Sequence, residues 1–310
     1  KQFNLTSYNV MTVAIMTLQA FSGMWINAFI VSVLCVGWAK KETLNSNQKI
    51  LVFLGCLRFC YLSISWIYAF LSIIYPKYLY VHPILQIIVS MQTFLTCSDL
   101  WVSACLCVFY CLKIANFSNS FFIYLKVKID RIVPWMLLGS VFFSLVTGIL
   151  VYNISDKALC SNQNSTGPDS FWKTSIKMDK RIFPSFFLIG CGYAASFMAV
   201  IFSALLLLFS LWKHKRNMQK NSMKDLCMDA HIRAMKSILS FFIMYSINFA
   251  CLILKMVYAT KKGSPLMFLI VVYQYAFPGV HSLILIFSNP KLEKKLLRIL
   301  SCLNHRVCMK

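Results

Sequence analysis

Residues 182–216 read IFPSFFLIGCGYAASFMAVIFSALLLLFSLWKHKR. The first 31 of them carry no charged side chain, and the last four are Lys213, His214, Lys215 and Arg216. About 20 apolar residues in a helix cross the roughly 30 Å hydrocarbon core of a bilayer. Core strands and core helices of soluble domains do not run so long without a charge. The stretch therefore predicts a transmembrane helix that ends in a basic, cytosolic cluster.

The same pattern recurs on both sides of it. Seven apolar stretches can be read, at approximately 8–38, 48–74, 83–112, 129–153, 182–212, 232–258 and 265–288. Several exceed the bilayer thickness, so they tilt, kink or project from it. After Asn289-Pro290, residues Leu292, Leu296, Ile299, Leu300 and Leu303 recur at three and four, which predicts an amphipathic helix at about 290–303 on the inner membrane surface. Cys302 and Cys308 close it, as lipidation sites or as plain thiols. The predicted fold is an all-α membrane protein, a single seven-transmembrane-helix bundle over residues 1–310. Composition agrees: of 310 residues 59% are hydrophobic and 13% charged, with a mean hydropathy of +0.69. That excludes a disordered chain and an ordinary soluble enzyme.

The net charge is +22, from 31 Lys and Arg against 9 Asp and Glu. Nucleic-acid binding is not expected, because the basic residues sit in short clusters between apolar runs. Twenty of them fall on one side of the predicted topology and 10 on the other, with Arg58 mid-span. The richer side is cytosolic, which puts the N-terminus outside. The sequons at Asn4, Asn153 and Asn164 then face outward and are glycosylation candidates, used or unused. Among 13 cysteines only Cys160 lies in an outer loop, so no structural disulfide is assigned.

Ionisable groups at membrane depth cost about 2.5–3.5 kcal/mol on insertion scales, so each calls for a partner. Asp99 is the only acid well inside any predicted span, and Arg58 is the only basic residue near the middle of one. They are predicted to pair, either as a structural clamp or as a switch between two states. Lys255 stands toward the outer end of helix six. Polar residues also fall at helical spacing. Gln92, Thr96 and Asp99 share a face of helix three, Tyr245, Asn248, Leu252 and Lys255 a face of helix six, and Gln274, Pro278 and His281 a face of helix seven. Such stripes either join helices or line a water-filled cavity. With Ile88, Leu95, Phe249 and Val271 beside them, the outer ends form the candidate ligand-binding set.

Neither a Ser–His–acid set, paired carboxylates nor a phosphate loop appears, so an enzyme is not expected, and neither a metal site nor a cofactor is assigned. A small-solute transporter would more often show an internal repeat and a broken helix pair, and neither is visible.

Motifs along the chain resemble a known family. Helix three closes on Phe109-Tyr110-Cys111-Leu112-Lys113-Ile114-Ala115-Asn116-Phe117-Ser118, close to the run FYFLKIANFS of the type 2 taste receptors, the bitter taste receptors among the G protein-coupled receptors. Helix one carries Asn27-Ala28-Phe29-Ile30 and then Trp38, and helix two carries Arg58 where rhodopsin-like receptors have an acid. Helix five ends Ser210-Leu211-Trp212-Lys213-His214; helix six opens Ala230-His231, then Lys236 and Ser240-Phe241-Phe242. Helix seven ends with Pro278, His281-Ser282, Leu285-Ile286 and Asn289. The alternative is a type 1 vomeronasal-like receptor, and the helix-three run argues against it.

The resemblance implies an outer cavity that takes small-molecule bitter agonists, with Tyr245 as the toggle at its floor. Asn27, Arg58, Asp99, Pro278, His281 and Ser282 would form the switch or structural set. Lys113, Lys126, Lys128, Lys213, His214, His231 and Lys236 would face a heterotrimeric G protein, gustducin or another of the inhibitory class, acting through phospholipase C and calcium. Membrane lipid, including cholesterol, is the other expected partner. The chain departs from the family pattern at Gln92, Thr96, Asp99 and at Ser196, which replaces a common proline.

Overall fold

The computed structural model describes the backbone of residues 2–39, 43–79, 81–115, 120–160, 183–220, 225–258 and 265–307. Side chains are described mainly within 10–156, 189–213, 238–254 and 268–302. The long helices are α1 (Gln2–Ala39), α2 (Ser46–Ile74), α3 (Ile84–Ile114), α4 (Ser120–Cys160), α5 (Phe183–Lys220), α6 (Asp225–Tyr258), α7 (Pro265–Ser288) and α8 (Pro290–Val307). A single turn, Pro76–Leu79, precedes α3. Among the described residues there is no strand, and α1 to α5 and α7 are long and apolar enough to cross a membrane. In α6 the apolar segment among described residues is shorter, Ile238–Leu254.

Helix boundaries follow local chemistry. Asn45 precedes α2, and its backbone N–H donates to Gln48 Oε1 at 3.1 Å, one half of a capping box. The helix stops before Pro76, which disfavours helical backbone in the residue ahead of it. At the α7–α8 junction Asn289 Oδ1 accepts the Lys291 N–H at 3.1 Å, with Pro290 at the first helical position. That cap turns the chain, and Leu292 and Leu296 then seat α8 against the bundle core.

Several expected boundaries differ: α1 begins at Gln2 and not at 8, α4 ends at Cys160 and not at 153, and α6 begins at Asp225 and not at 232. The helix expected from 129 begins at Ser120, so Lys126, Lys128 and Arg131 stand on the first turns of α4 and not in a loop. The cause is packing: Phe122, Leu125, Ile129 and Val133 recur at helical spacing and meet the core. Helix α5 continues past 212 to Lys220, since Lys and Arg are good helix formers once outside the apolar layer. There the Arg216 guanidinium lies 5.8 Å from the Trp212 ring centroid. Helix α8 likewise extends beyond 303.

Helix α3 is the axis of the bundle: 72% of its apolar window is buried, against 28% for α1 and for α4. It can be central because its inward positions are small. Cys97, Ser98, Ser103, Ala104, Cys105 and Cys107 are all buried. Lipid supplies no hydrophobic drive between helices, so close approach and interhelical hydrogen bonds hold them together. Toward α4, Ser90 Oγ donates to Gly148 O at 2.7 Å and Cys105 Sγ lies 3.4 Å from Ser140 Oγ.

The α1–α7 contact is closer still. A Cβ added at Gly279 would stand 3.2 Å from Gly23 Cα, backbone that cannot swing aside. Gly279→Leu is expected to destabilise the bundle, given that overpacking costs about 1–3 kcal/mol. The check is the Tm of the solubilised receptor beside Gly139→Leu, whose position has nothing within 4 Å. Equal Tm values for the two variants would contradict this account of the contact.

Candidate functional site

Arg58 of α2 is 1% exposed and heads the fully buried side chains. A buried guanidinium is tolerable only when its rigid fork of N–H groups finds acceptors. Its Nε donates to Asp99 Oδ1 of α3 at 2.7 Å, and Nη1 donates to Ser282 Oγ of α7 at 2.9 Å. Nη2 donates to Ser103 Oγ of α3 at 3.4 Å and to His281 Nδ1 of α7. Ser282 Oγ in turn donates to Asn27 Oδ1 of α1 at 2.7 Å, and Asn27 Nδ2 donates to Gly23 O at 2.8 Å. One side chain thus ties four helices. Asp99 is 9% exposed, so the ion pair is screened by little water.

The guanidinium also assigns a tautomer. It has no acceptor, so His281 Nδ1 accepts and the ring proton sits on Nε2. His281 Nε2 is buried and has no hydrogen-bond partner among the described residues. The ring packs at a tilt on Phe241 of α6, 4.7 Å between centroids, and on Phe277, 5.5 Å. Pro278 lies within α7 at this level and removes one backbone donor from the helix.

A second focus is Tyr245 of α6, also 1% exposed. Its hydroxyl lies 3.2 Å from Leu100 O of α3 and 3.4 Å from Ser196 Oγ of α5. Phe197 of α5 stacks on Phe249 of α6 at 4.1 Å with the rings 2° from parallel, and it lies 6.3 Å from the Tyr245 ring. Phe241 is 5.7 Å from Tyr245. Rings therefore run in contact from Phe249 through Phe197, Tyr245 and Phe241 to His281, which meets Arg58.

The expected ligand set is divided by the structure. Phe249 and Leu252 pack with Tyr245 against α3 and α5. Val271 joins Met16, Trp66 and Tyr275, Ile88 joins Leu79 and Leu85, and Leu95 belongs to the core of α1, α2 and α4. Gln92 Nε2 of α3 donates to Ser65 Oγ of α2 at 3.4 Å, and Tyr275 Oη donates to Ser65 O. Thr96 is half-buried and Gln274 buried. Asn248 is 6% exposed, and none of the hydrogen bonds among the described residues uses its amide. The side chains of Lys255, His214, His231, Lys236 and Asn4, and residues Asn164 and Cys308, lie outside the described residues. Asn153 is exposed but stands within α4, with Ser155 of its triplet buried. Cys302 is exposed.

At the basic end several expected partner-facing lysines are already engaged. Lys113 Nζ pairs with Asp130 Oδ2 at 2.7 Å, joining α3 to α4, with both side chains about half exposed. Lys126 Nζ donates to Ala115 O at 3.0 Å, and Lys128 Nζ donates to Tyr124 Oη at 2.8 Å. Lys213 is exposed. A cavity of about 600 Å³ opens there between Asn45, Asn47, Phe109, Tyr110, Lys113 and Asp130. Between α3, α5, α6 and α7 a cavity of only about 40 Å³ is lined by Tyr110, Leu207, Ile238, Phe241 and Ile284. That is room for a water and not for a segment of another protein.

Sequence reasoning overlooked Ser103, Ser65, Tyr275 and Phe197. Ser103 carried a signal, since it lies four residues after Asp99 and so on the same face. Asp99→Ala is expected to leave Arg58 buried without its counter-charge, at a cost of about 3–5 kcal/mol. Surface expression and Tm read that loss. Adding Arg58→Met to Asp99→Leu should restore most of both, and no recovery in the double variant would refute the pairing account.

Comparison with known proteins places this architecture. The family described as Taste receptor protein (TAS2R) matches residues 5–304. Taste receptor type 2 member 2 of Homo sapiens is 30% identical over 307 residues, covering 96% of this chain and 98% of its own. Taste receptor type 2 member 40 of Gallus gallus is 34% identical over 289 residues, 91% of each chain. Taste receptor type 2 member 114 of Mus musculus is 29% identical over 304 residues, 96% of each. These matches run essentially end to end, through the buried polar hub and the helix-three run alike. The chain belongs to the type 2 taste receptor family, and it is a multi-pass membrane receptor of that family and not an enzyme.

Proposed function

We propose that this receptor binds small bitter molecules in a cavity at the end of the bundle away from the basic loops, and that binding shifts it toward a state that engages a heterotrimeric G protein. The basic end faces the cytosol by the positive-inside rule, and the receptor sits in the plasma membrane with its N-terminus outside. The observation that carries the reading is Asn248: a residue only 6% exposed, whose amide makes no hydrogen bond among the described residues and which lies one turn from Tyr245. An amide on a residue this buried has little room for water around it, so a ligand group that hydrogen-bonds to it is favoured. The Phe197–Phe249 stack beside it offers flat apolar surface, and Gln92 and Gln274 add amides from α3 and α7. Lys255 would attract an acceptor or anion. Sites of this composition suit mostly apolar ligands with one or two polar anchors.

A ligand can shift the bundle only by its differential affinity for two arrangements. Tyr245 is suited to read that difference, since its hydroxyl meets α3 and α5 and its ring leads to Phe241 and His281. Opening of the narrow space between α3, α5, α6 and α7 would admit a G protein of the gustducin or inhibitory class, with phospholipase C and calcium release downstream. The exposed Lys213, and Lys113, Lys126 and Lys128 once freed, suit an acidic partner face or anionic lipid.

The experiment is calcium release in cells that express the receptor with a gustducin-tailed promiscuous G protein, over a panel of bitter compounds. Asn248→Ala should raise EC50 by about tenfold for responding agonists, the loss of one ligand hydrogen bond, at unchanged surface expression. Tyr245→Ala should lower the maximal response. Responses identical to the parent in both variants would overturn the placement of the cavity.

A further inference from the structure

We propose that Ser196 is the positioning residue for Tyr245: its hydroxyl shares the tyrosine proton with a carbonyl of α3, and so sets how readily α6 leaves the closed arrangement. This rests on the reading of Tyr245 as the residue that transmits binding.

Ser196 is fully buried at mid-length of α5. Its own proton goes to Tyr193 O at 2.8 Å, so its lone pairs are left to accept. Tyr245 has one hydroxyl proton and two acceptors within reach, Leu100 O at 3.2 Å and Ser196 Oγ at 3.4 Å. Both distances exceed the 2.7–2.8 Å usual for an O–H···O bond. Neither acceptor holds the proton fully, and a movement of α5 against α3 by a few tenths of an ångström commits it to one of them. Such a shared proton is a local two-position element of the kind that small shifts can bias. Among the described residues of α5, Ser196 is the one hydrogen-bonded to this hydroxyl: Phe197 meets Tyr245 through its ring, and Val200 and Ala204 are apolar.

The sense of the effect follows from the basic end. The space between α3, α5, α6 and α7 measures about 40 Å³, which is the closed arrangement. Contacts of Tyr245 with both α3 and α5 belong to that arrangement, so removing one of them favours the other state. The serine is thus a means of setting basal signalling that acts through another residue and does not touch the ligand.

The test uses the full-length receptor in cells, with G-protein dissociation read in the absence and presence of a responding bitter compound and normalised to surface density. Ser196→Ala should raise basal signalling about two- to fivefold, the range expected for one weak neutral hydrogen bond, and should shift EC50 to lower concentration. Ser196→Thr, which keeps the hydroxyl, should return both to the parent values, whereas a purely packing role would not be rescued in this way. Tyr245→Phe should raise basal signalling at least as much, and the double variant Ser196→Ala/Tyr245→Phe should match Tyr245→Phe alone, since residues that share one interaction are not additive. If Ser196→Ala reaches the surface poorly, Ser196→Cys keeps the size and weakens the acceptor, and the same rise is expected. Basal signalling unchanged in Ser196→Ala or Ser196→Cys while Tyr245→Phe changes it would overturn the proposal and leave the receptor reading intact. So would a double variant equal to the product of its singles. A parent receptor that signals normally while Tyr245→Phe and Ser196→Ala both leave it unaltered would instead count against Tyr245 as the transmitting residue.

Discussion

The structure depends on a guanidinium held at the centre of an apolar bundle. Taking an ion out of water costs several kcal/mol even after relaxation, and Arg58 is only 1% exposed. What makes it tolerable is that α1, α3 and α7 each supply a piece of its environment: Asp99 and Ser103, Ser282 and His281, and Asn27 behind Ser282. The requirement runs in both directions. Those polar groups would be equally costly without the arginine, so the four helices are constrained to one relative register. Such a network contributes less to net stability than to the uniqueness of the arrangement, because a shifted register leaves charges unpaired.

Around this hub, small side chains decide which helices can be neighbours. The serines and cysteines on α3 let α4 and α5 close on it, and the glycines of α1 and α7 bring two backbones into contact. Large apolar side chains do the opposite. Trp25, Trp135, Phe142 and Phe202 are highly exposed on the outer surface, where a soluble protein would not leave them in such number. In a bilayer they lie against lipid, and the driving force for assembly passes to packing and hydrogen bonding.

The polar hub and the ring-lined outer half are not separate structures. His281 accepts from Arg58 on one nitrogen and packs at a tilt against Phe241, which in turn reaches Tyr245 and, through it, the Phe197–Phe249 stack. A displacement of α6 at Phe249 therefore moves rings that rest on a charged network with a fixed hydrogen-bonding geometry. Packed interiors of this density have discrete alternative arrangements and do not deform continuously. That property is what a receptor needs if occupancy at one end is to be read at the other.

Much of this could be read from the residues in order. The apolar runs, the basic clusters and the Asn-Pro before α8 required helices, their number and their breaks, because one-dimensional chemistry (hydrophobic length, capping, proline) governs where a helix begins and ends. The isolation of Asp99 and Arg58 in apolar surroundings pointed to each other for the same reason. Spacing could not tell which face of a helix meets which neighbour. Gln92 and Thr96 precede Asp99 at helical steps, and Gln92, like Asp99, turns to α2, at Ser65, while Leu95 packs into a different cluster from Tyr245. The early start of α4 was hidden because Phe122 and Leu125 become helical by packing, and their lysine neighbours look like loop. Ser103 and Ser196 acquire their roles only when α2 and α6 bring Arg58 and Tyr245 within reach. The sequence by itself determined the seven-span plan and the need for a buried ion pair; tertiary packing alone decided which hydroxyls and rings surround it, since those contacts join positions that are far apart in the chain.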